Sequence, residues 1–167
     1  MGFAERGLRV ARFEFPYMRS LCDGKRRGPD RMPVLQDAMR EAVAASDTKR
    51  FVLAGKSMGG RIATMLADEL GAEAVCAFGY PFHPPGKPEN LRTAHLQNLQ
   101  TPTLILQGER DPFGKPDEVA TYDLSPAIRV EWLPDGDHSL VPRKRSGLTA
   151  EQNLATALDA AAAFVQR

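Results

Sequence analysis

The sequence has little cysteine, little histidine and almost no net charge. Of its 167 residues two are cysteine and three are histidine, and 22 basic side chains against 21 acidic ones leave a net charge of +1. Cys22 and Cys76 are far apart and form no Cys-x-x-Cys pair, which favours a reducing compartment over a disulfide scaffold. The scattered histidines fit no metal-ligand spacing. The small net charge gives no reason to expect nucleic acid or a membrane as a partner.

Long apolar runs are also absent. No stretch approaches the roughly 18 apolar residues of a membrane span, and the first residues lack the apolar core of a signal peptide. Met1-Gly2 begins a myristoylation motif, but Arg6 stands where that motif needs serine or threonine. We therefore expect a cytoplasmic protein. With 43% apolar and 26% charged residues and no repeat or low-complexity linker, we expect one globular domain, residues 1–167.

A strand-turn-helix pattern surrounds Ser57. The apolar residues 51–54 lead into Gly55-Lys-Ser57-Met-Gly59, and apolar residues at helical spacing follow at once. This pattern is typical of a nucleophile elbow, in which a strained turn exposes the serine hydroxyl. We expect Gly55 and Gly59 to be required where strand and helix come close. The helix start also favours negative charge at the serine. The alternative is a glycine-rich turn with an incidental serine.

Strands and helices alternate along the rest of the sequence. The order favours an α/β fold, with a mainly parallel sheet and helices on both faces. Residues 19–31 are predicted to be a polar loop. The predicted strands are 8–15, 51–54, 74–79, 103–107 and 128–133. The predicted helices are 1–6 (a helix end), 33–43, the elbow helix up to Gly71, 91–99, 116–122 and 149–165, the last opening with a capping box.

Three residues with complementary chemistry follow three of the predicted strands: Ser57, Asp111 and His138. The carboxyl ends of parallel strands meet at one edge of the sheet, where sites form. A histidine can take the proton of a serine hydroxyl, and a carboxylate can orient that histidine. The order Ser, Asp, His is that of α/β-hydrolases. We predict a catalytic triad, with the backbone N–H of Met58 as one oxyanion donor.

Each partner of Ser57 has a competitor. Asp111 could simply form a turn before Pro112, and Asp117 is a weaker alternative acid because it lies inside the following predicted helix. His83 and His95 compete with His138 as the base. His95 sits at helical spacing from apolar neighbours and is interpreted as structural. The aspartates flanking His138 are interpreted as turn residues that present it.

Other residues are candidate substrate contacts. The proline-rich loop 80–88 is predicted to be a pocket wall, with Tyr80 and His83 in contact with substrate. His83 is interpreted as a loop hydrogen-bonder or substrate contact rather than as the base. Two basic runs, 25–27 and 143–145, either recognise an anionic substrate group or are solvated loops.

Five segments together resemble a branch of predicted α/β-hydrolases that includes bacterial dienelactone-hydrolase-like proteins and eukaryotic testis-expressed and KANSL-type hydrolase-like proteins. The resemblance implies the α/β-hydrolase fold and a triad of Ser57, Asp111 and His138, and implies little about the substrate. Relatives begin with further strands and a His-Gly-Ala-Gly-Ala-like loop, so we expect a shortened N-terminus that lacks those strands and that oxyanion loop, and the sequence identifies no second oxyanion donor. The segments are 13–18, 55–61, 79–88, 107–114 and 135–139.

We therefore expect a serine hydrolase that cleaves an ester, thioester or related acyl bond of a small molecule without a cofactor. The alternative is a non-catalytic α/β-hydrolase-like module that binds a partner protein.

Overall fold

A parallel four-stranded sheet forms the centre of the protein. The computed structural model describes residues 2–22 and 28–166. The strands lie in the order of the sequence, and each pairs in parallel with the next. They are β1 (Val52–Lys56), β2 (Ala74–Phe78), β3 (Thr103–Gly108) and β4 (Ile128–Leu133). The helices are α1 (Pro16–Cys22), α2 (Met32–Ala44), α3 (Met58–Leu70), α4 (Pro116–Val119) and α5 (Ala150–Val165).

Both faces of the sheet are covered by helices. Side chains alternate along a strand, so Val75 and Ala77 of β2 pack into one cluster and Cys76 into the other. The first cluster contains α2 and α3, and the second contains α5. All six residues of β3 are buried, as a central parallel strand requires. The predicted fold class is confirmed. The division into domains stays a prediction.

The last helix begins as its sequence predicts. Thr149 Oγ1 accepts a hydrogen bond of 3.2 Å from the Gln152 N–H, and Gln152 Oε1 accepts one of 2.8 Å from the Thr149 N–H. This is a complete capping box, which satisfies two of the free donors at the helix start. It fixes the start of the helix that covers the second face of the sheet.

The prediction of a strand at residues 8–15 is wrong. This segment has neither helix nor strand, and it is largely exposed, with Val10 at 47% and Phe13 at 39%. An alternating pattern becomes a strand only if a neighbouring strand accepts its backbone hydrogen bonds. Among the described residues β1 pairs with β2 alone, so the segment has no strand beside it. Phe15, at its end, is buried in the first cluster.

Three further predictions need correction. Residues 19–22 belong to α1, not to the predicted loop, since Pro16 opens a helix instead of only ending a strand. The predicted helix at 91–99 is reduced to one 3₁₀ turn, Ala94–Leu96. The helix end predicted at 1–6 is a 3₁₀ turn, Ala4–Arg6, followed by a left-handed Gly7.

Among residues 2–22 and 28–166 we find no helix with the length and apolarity needed to cross a membrane.

Candidate active site

Ser57 sits on a strained turn between β1 and α3. Its backbone has φ 52° and ψ −115°, in the left-handed region that a residue with a side chain rarely adopts. Its N–H donates to the carbonyl of Phe78 at 2.9 Å, and its own carbonyl accepts from the N–H of Arg61 at 3.0 Å. These bonds hold the turn to β2 on one side and to α3 on the other. The predicted strand-turn-helix pattern is present.

Two glycines allow the strand and helix to come this close. A Cβ on Gly55 would lie 2.6 Å from the carbonyl oxygen of Gly59, and a Cβ on Gly60 would lie 2.9 Å from the Cβ of Ala77. Both distances are too short for real contacts. A Cβ on Gly59 would meet only Phe15, at 3.9 Å. The prediction was therefore right for Gly55 and wrong for Gly59, because the face of α3 that approaches the sheet carries Gly60.

The three residues predicted to act together do lie together. His138 Nε2 is 2.9 Å from Ser57 Oγ, and His138 Nδ1 is 2.9 Å from Asp111 Oδ2. Because a carboxylate only accepts, the Nδ1 atom carries the proton and Nε2 is left to accept from the serine hydroxyl. The chain of hydrogen bonds therefore runs from serine through histidine to aspartate. All three residues follow the carboxyl ends of parallel strands, β1, β3 and β4.

Asp111 is fully buried and is surrounded by hydrogen-bond donors. Its Oδ1 accepts from the backbone N–H of Phe113 at 2.9 Å, and its Oδ2 accepts from Gln107 Nε2 at 2.9 Å as well as from His138. A buried carboxylate is tolerated when it is paired and hydrogen-bonded. Asp117, the alternative acid, is exposed on α4.

Gln107 is a site residue that the sequence analysis missed. It is the fifth residue of β3 and is fully buried. Its Oε1 accepts from the Tyr80 N–H at 2.7 Å, while its Nε2 donates to Asp111 and, at 3.1 Å, to the carbonyl of Tyr80. One amide thus ties the loop after β2 to the acid. A polar residue in an otherwise apolar buried run was the available signal.

The loop that carries His138 is held from both sides. The carboxylate of Asp137 accepts from the N–H groups of Ser139 and Val141, at 2.8 and 3.0 Å. Asp135 accepts from the N–H of Arg143 at 2.7 Å and pairs with its guanidinium. This pairing lowers the pKa of Asp135 to about 2. Both aspartates hold the turn, as the sequence analysis interpreted them.

A ring from the neighbouring loop covers the imidazole. The ring centres of Phe113 and His138 are 4.2 Å apart, with an angle of 31° between their planes. The His138 side chain keeps 22% of its surface exposed. The packed ring restricts rotation of the imidazole, which stays partly exposed.

The role of Met58 as an oxyanion donor stays a prediction. Met58 is the first residue of α3, directly after Ser57. The first N–H groups of a helix have no carbonyl partner within the helix, and the helix dipole favours negative charge there.

The other predicted contact residues are buried. Tyr80 is 0% exposed and donates from its hydroxyl to the Arg92 carbonyl at 3.0 Å. Burial raises its pKa to about 12. His83 is 2% exposed, and its Nδ1 bonds to the carbonyl of Pro84 at 2.9 Å, as a loop hydrogen-bonder would. Substrate contact stays a prediction for both, and neither presents an exposed surface for it.

His95 is hydrogen-bonded to residues outside the triad. Its Nε2 lies 3.0 Å from Thr64 Oγ1 and 3.4 Å from the Tyr80 hydroxyl. Burial and the nearby Arg61 charge lower its pKa to about 4. A neutral, hydrogen-bonded imidazole agrees with a structural role. Of the two basic runs, residues 25–27 lie outside the described residues.

The chain belongs to the family described as the alpha/beta hydrolase domain, which matches residues 1–166. The predicted superfamily is thereby confirmed. No curated protein matches the chain.

Several solved structures have a similar fold. An α/β serine hydrolase without a lid from Xanthomonas campestris is 21% identical, with a TM-score of 0.61 over 84% of this chain and 60% of that one. A serine hydrolase homologue from Coxiella burnetii is 15% identical, with a TM-score of 0.60 over 80% and 59%. A dienelactone hydrolase-like promiscuous phosphotriesterase from metagenomic libraries is 18% identical, with a TM-score of 0.55 over 81% and 61%. The chain thus spans about 60% of the length of these relatives.

Proposed function

We propose that this protein is a serine hydrolase that cleaves an ester, thioester or related acyl bond. The observation that carries the proposal is the pair of 2.9 Å hydrogen bonds joining Ser57, His138 and Asp111. A serine hydroxyl becomes a good nucleophile when a base stands ready to take its proton. The names of the similar structures, which include serine hydrolases, support the same class.

Each residue has one role in this reaction. Ser57 Oγ attacks the acyl carbon while His138 Nε2 takes the hydroxyl proton. Asp111 holds the Nδ1 proton and stabilises the imidazolium that forms. The proton then passes from His138 to the leaving group, and an acyl ester of Ser57 remains. A water molecule, deprotonated by His138, then attacks the acyl carbon. The bond to Ser57 Oγ breaks, the acyl group leaves as a carboxylic acid, and His138 returns the proton to Oγ.

The oxyanion of each tetrahedral intermediate forms beside the start of α3. The N–H of Met58 is the donor we assign to it, since it directly follows the nucleophile. One such donor is worth about a hundredfold or more in rate.

The strained backbone at Ser57 is a second support for catalysis. Strain at one residue costs on the order of 1–3 kcal/mol and persists where the surrounding structure enforces it. A module that only binds a partner has no need to expose this hydroxyl toward His138. If the protein were instead a non-catalytic module, Ser57→Ala would bind the partner protein as wild type does.

A fluorophosphonate probe tests the proposal, because it reacts covalently with an activated serine. We expect wild type to be labelled and Ser57→Ala to be unlabelled. Ser139→Ala is the matched control, since Ser139 is an exposed serine next to His138, and it should label as wild type does. Equal labelling of wild type and Ser57→Ala, or no labelling of folded wild type, would contradict the proposal.

A further inference from the structure

Two arginines differ from all the others that the structure describes. Six arginines form ion pairs with carboxylates: Arg6, Arg40, Arg50, Arg110, Arg129 and Arg143. Five others within residues 2–22 and 28–166 have no ion pair and are exposed: Arg9, Arg12, Arg19, Arg31 and Arg145. Arg61 and Arg92 are the two that are partly buried and yet have no carboxylate within ion-pair distance among these residues.

Arg61 lies one helical turn from the nucleophile. Its backbone N–H donates to the carbonyl of Ser57 at 3.0 Å, and one turn rises about 5.4 Å. Side chains on a helix lean toward its N-terminus, so the Arg61 side chain is expected to lean toward the turn that begins at Ser57. Its Nε atom is buried and has no hydrogen-bond partner in the described part of the chain.

Arg92 brings a second positive charge near Arg61. The carbonyl of Arg92 accepts a hydrogen bond from the hydroxyl of Tyr80. Burial is the main cause that lowers the pKa of Arg61, and the charge of Arg92 lowers it further. Neither Tyr80 nor His95, which lie beside the pair, carries a negative charge at neutral pH. Tyr80 has its pKa raised to about 12 by burial, and His95 has its pKa lowered to about 4, mainly by burial.

We propose that Arg61 and Arg92 bind an oxyanion of the substrate, a carboxylate or phosphate group about one helical turn from the bond that Ser57 attacks. A guanidinium fork matches both groups and holds them through paired hydrogen bonds. Two partly buried cations without a counter-charge repel each other, and a bound oxyanion relieves both the repulsion and the unused donors. This rests on the proposed hydrolase function and names its substrate class.

From the sequence, the basic runs 25–27 and 143–145 were candidates for anion recognition, with solvated loops as the alternative. Within the second run, Arg143 is already paired with Asp135. Arg61 belongs to the segment 55–61 around the nucleophile, and no role was predicted for it from the sequence. Only the contacts in the structure show that Arg61 has no ion pair among the described residues, since composition carries no such information.

Two p-nitrophenyl esters with four-carbon acyl groups test the proposal by kinetics. Mono-p-nitrophenyl succinate carries a terminal carboxylate, and p-nitrophenyl butyrate does not. We expect the ratio of their kcat/KM values to fall at least tenfold in Arg61→Gln and in Arg92→Gln. Arg61→Lys, which keeps the charge but not the fork, should give an intermediate ratio. Arg145→Gln, an exposed and unpaired arginine, should keep the wild-type ratio. An unchanged ratio in both glutamine variants would overturn the carboxylate subsite.

Equilibrium binding decides the matter without turnover. Succinate and inorganic phosphate are each titrated into Ser57→Ala, and then into the same variant with Arg61→Gln. Binding of either ion that weakens at least tenfold with Arg61→Gln supports the subsite, and which ion binds identifies the group. If neither ion binds, or binding ignores Arg61, the subsite is wrong even where esters are hydrolysed. If binding depends on Arg61 but no ester is cleaved, the proposed hydrolase function fails and the subsite stands.

Discussion

Gln107 donates a 2.9 Å hydrogen bond to the carboxylate of Asp111, and neither side chain is exposed. The same amide accepts from the backbone of Tyr80. The acid of the site is therefore fixed by a residue inside β3 that has no hydrogen bond of its own to His138 or Ser57. Its role is positioning, since Asp111 links it to His138.

Replacing Gln107 by leucine should lower both stability and activity. The buried carboxylate loses one donor and the Tyr80 N–H loses its acceptor, which costs about 1–3 kcal/mol in the free energy of unfolding. A displaced Asp111 and His138 should lower kcat by about 10- to 100-fold, with KM less affected. Denaturant unfolding and ester kinetics measure the two effects. Gln97→Leu, an exposed glutamine, is the control, and an active, stable Gln107→Leu would show that this amide holds nothing in place.

The three glycines around the elbow should respond differently to alanine. Gly55→Ala and Gly60→Ala place a Cβ at 2.6 and 2.9 Å from neighbouring atoms, so each should destabilise the protein and distort the turn. Gly59→Ala meets only Phe15 at 3.9 Å. Because alanine is a better helix former than glycine, Gly59→Ala should be neutral or more stable by up to about 1 kcal/mol. Thermal unfolding of the three variants separates these outcomes. A destabilised Gly59→Ala beside a stable Gly60→Ala would reverse the assignment.

His95 should make the protein less stable in mild acid. Its folded pKa is lowered to about 4, whereas a free histidine titrates near 6.5. Between these values the unfolded chain binds the extra proton, so this residue's contribution to stability is complete above pH ~6.5 and falls as pH drops toward about 4. NMR titration of the imidazole should give a midpoint near 4. His95→Gln should flatten the pH dependence in that window, and a midpoint near 6.5 would contradict the burial argument.

Asp135 should stabilise the loop of His138 down to low pH. Pairing with Arg143 lowers its pKa to about 2, against roughly 3.9 in an unfolded chain. The stabilisation is therefore present above pH ~4 and is lost as the pH falls through about 2. The difference in melting temperature between wild type and Asp135→Asn should shrink across that range. Asp159→Asn, which removes the exposed pair with Arg6, is the control. A difference that stays constant from pH 5 to 2 would rule out this ionic contribution.

Periodicity and turn residues predict most of this fold. Buried parallel strands are apolar along their whole length, so apolar runs predicted β2 and β3. The capping box at Thr149 predicted the start of α5. The prediction of a strand at 8–15 was wrong because the alternation of apolar and polar residues is a local property, whereas a strand also needs a neighbouring strand to pair with. β1 has no second neighbour among the described residues.

The site was predictable to the extent that its chemistry follows strand ends. Each member of the predicted triad follows a strand: Ser57, Asp111 and His138. A serine nucleophile needs a histidine base, and that base needs a carboxylate, so the three residue types predicted a common site. The roles of Gln107 and Arg61 were not visible, because a buried amide and an unpaired cation are defined by what surrounds them. The sequence analysis also named Gly59 where the structure shows that Gly60 makes the close approach. Only packing shows which face of α3 meets the sheet.

Hydrolysis of a series of short-chain p-nitrophenyl esters by wild type and Ser57→Ala tests the central claim most directly. The account predicts that wild type releases p-nitrophenolate and that Ser57→Ala loses at least about 10³-fold in kcat/KM, since removal of the nucleophile disables the whole triad. Circular dichroism should show that both proteins are equally folded. Folded wild type that is no faster than Ser57→Ala on every ester would contradict the claim.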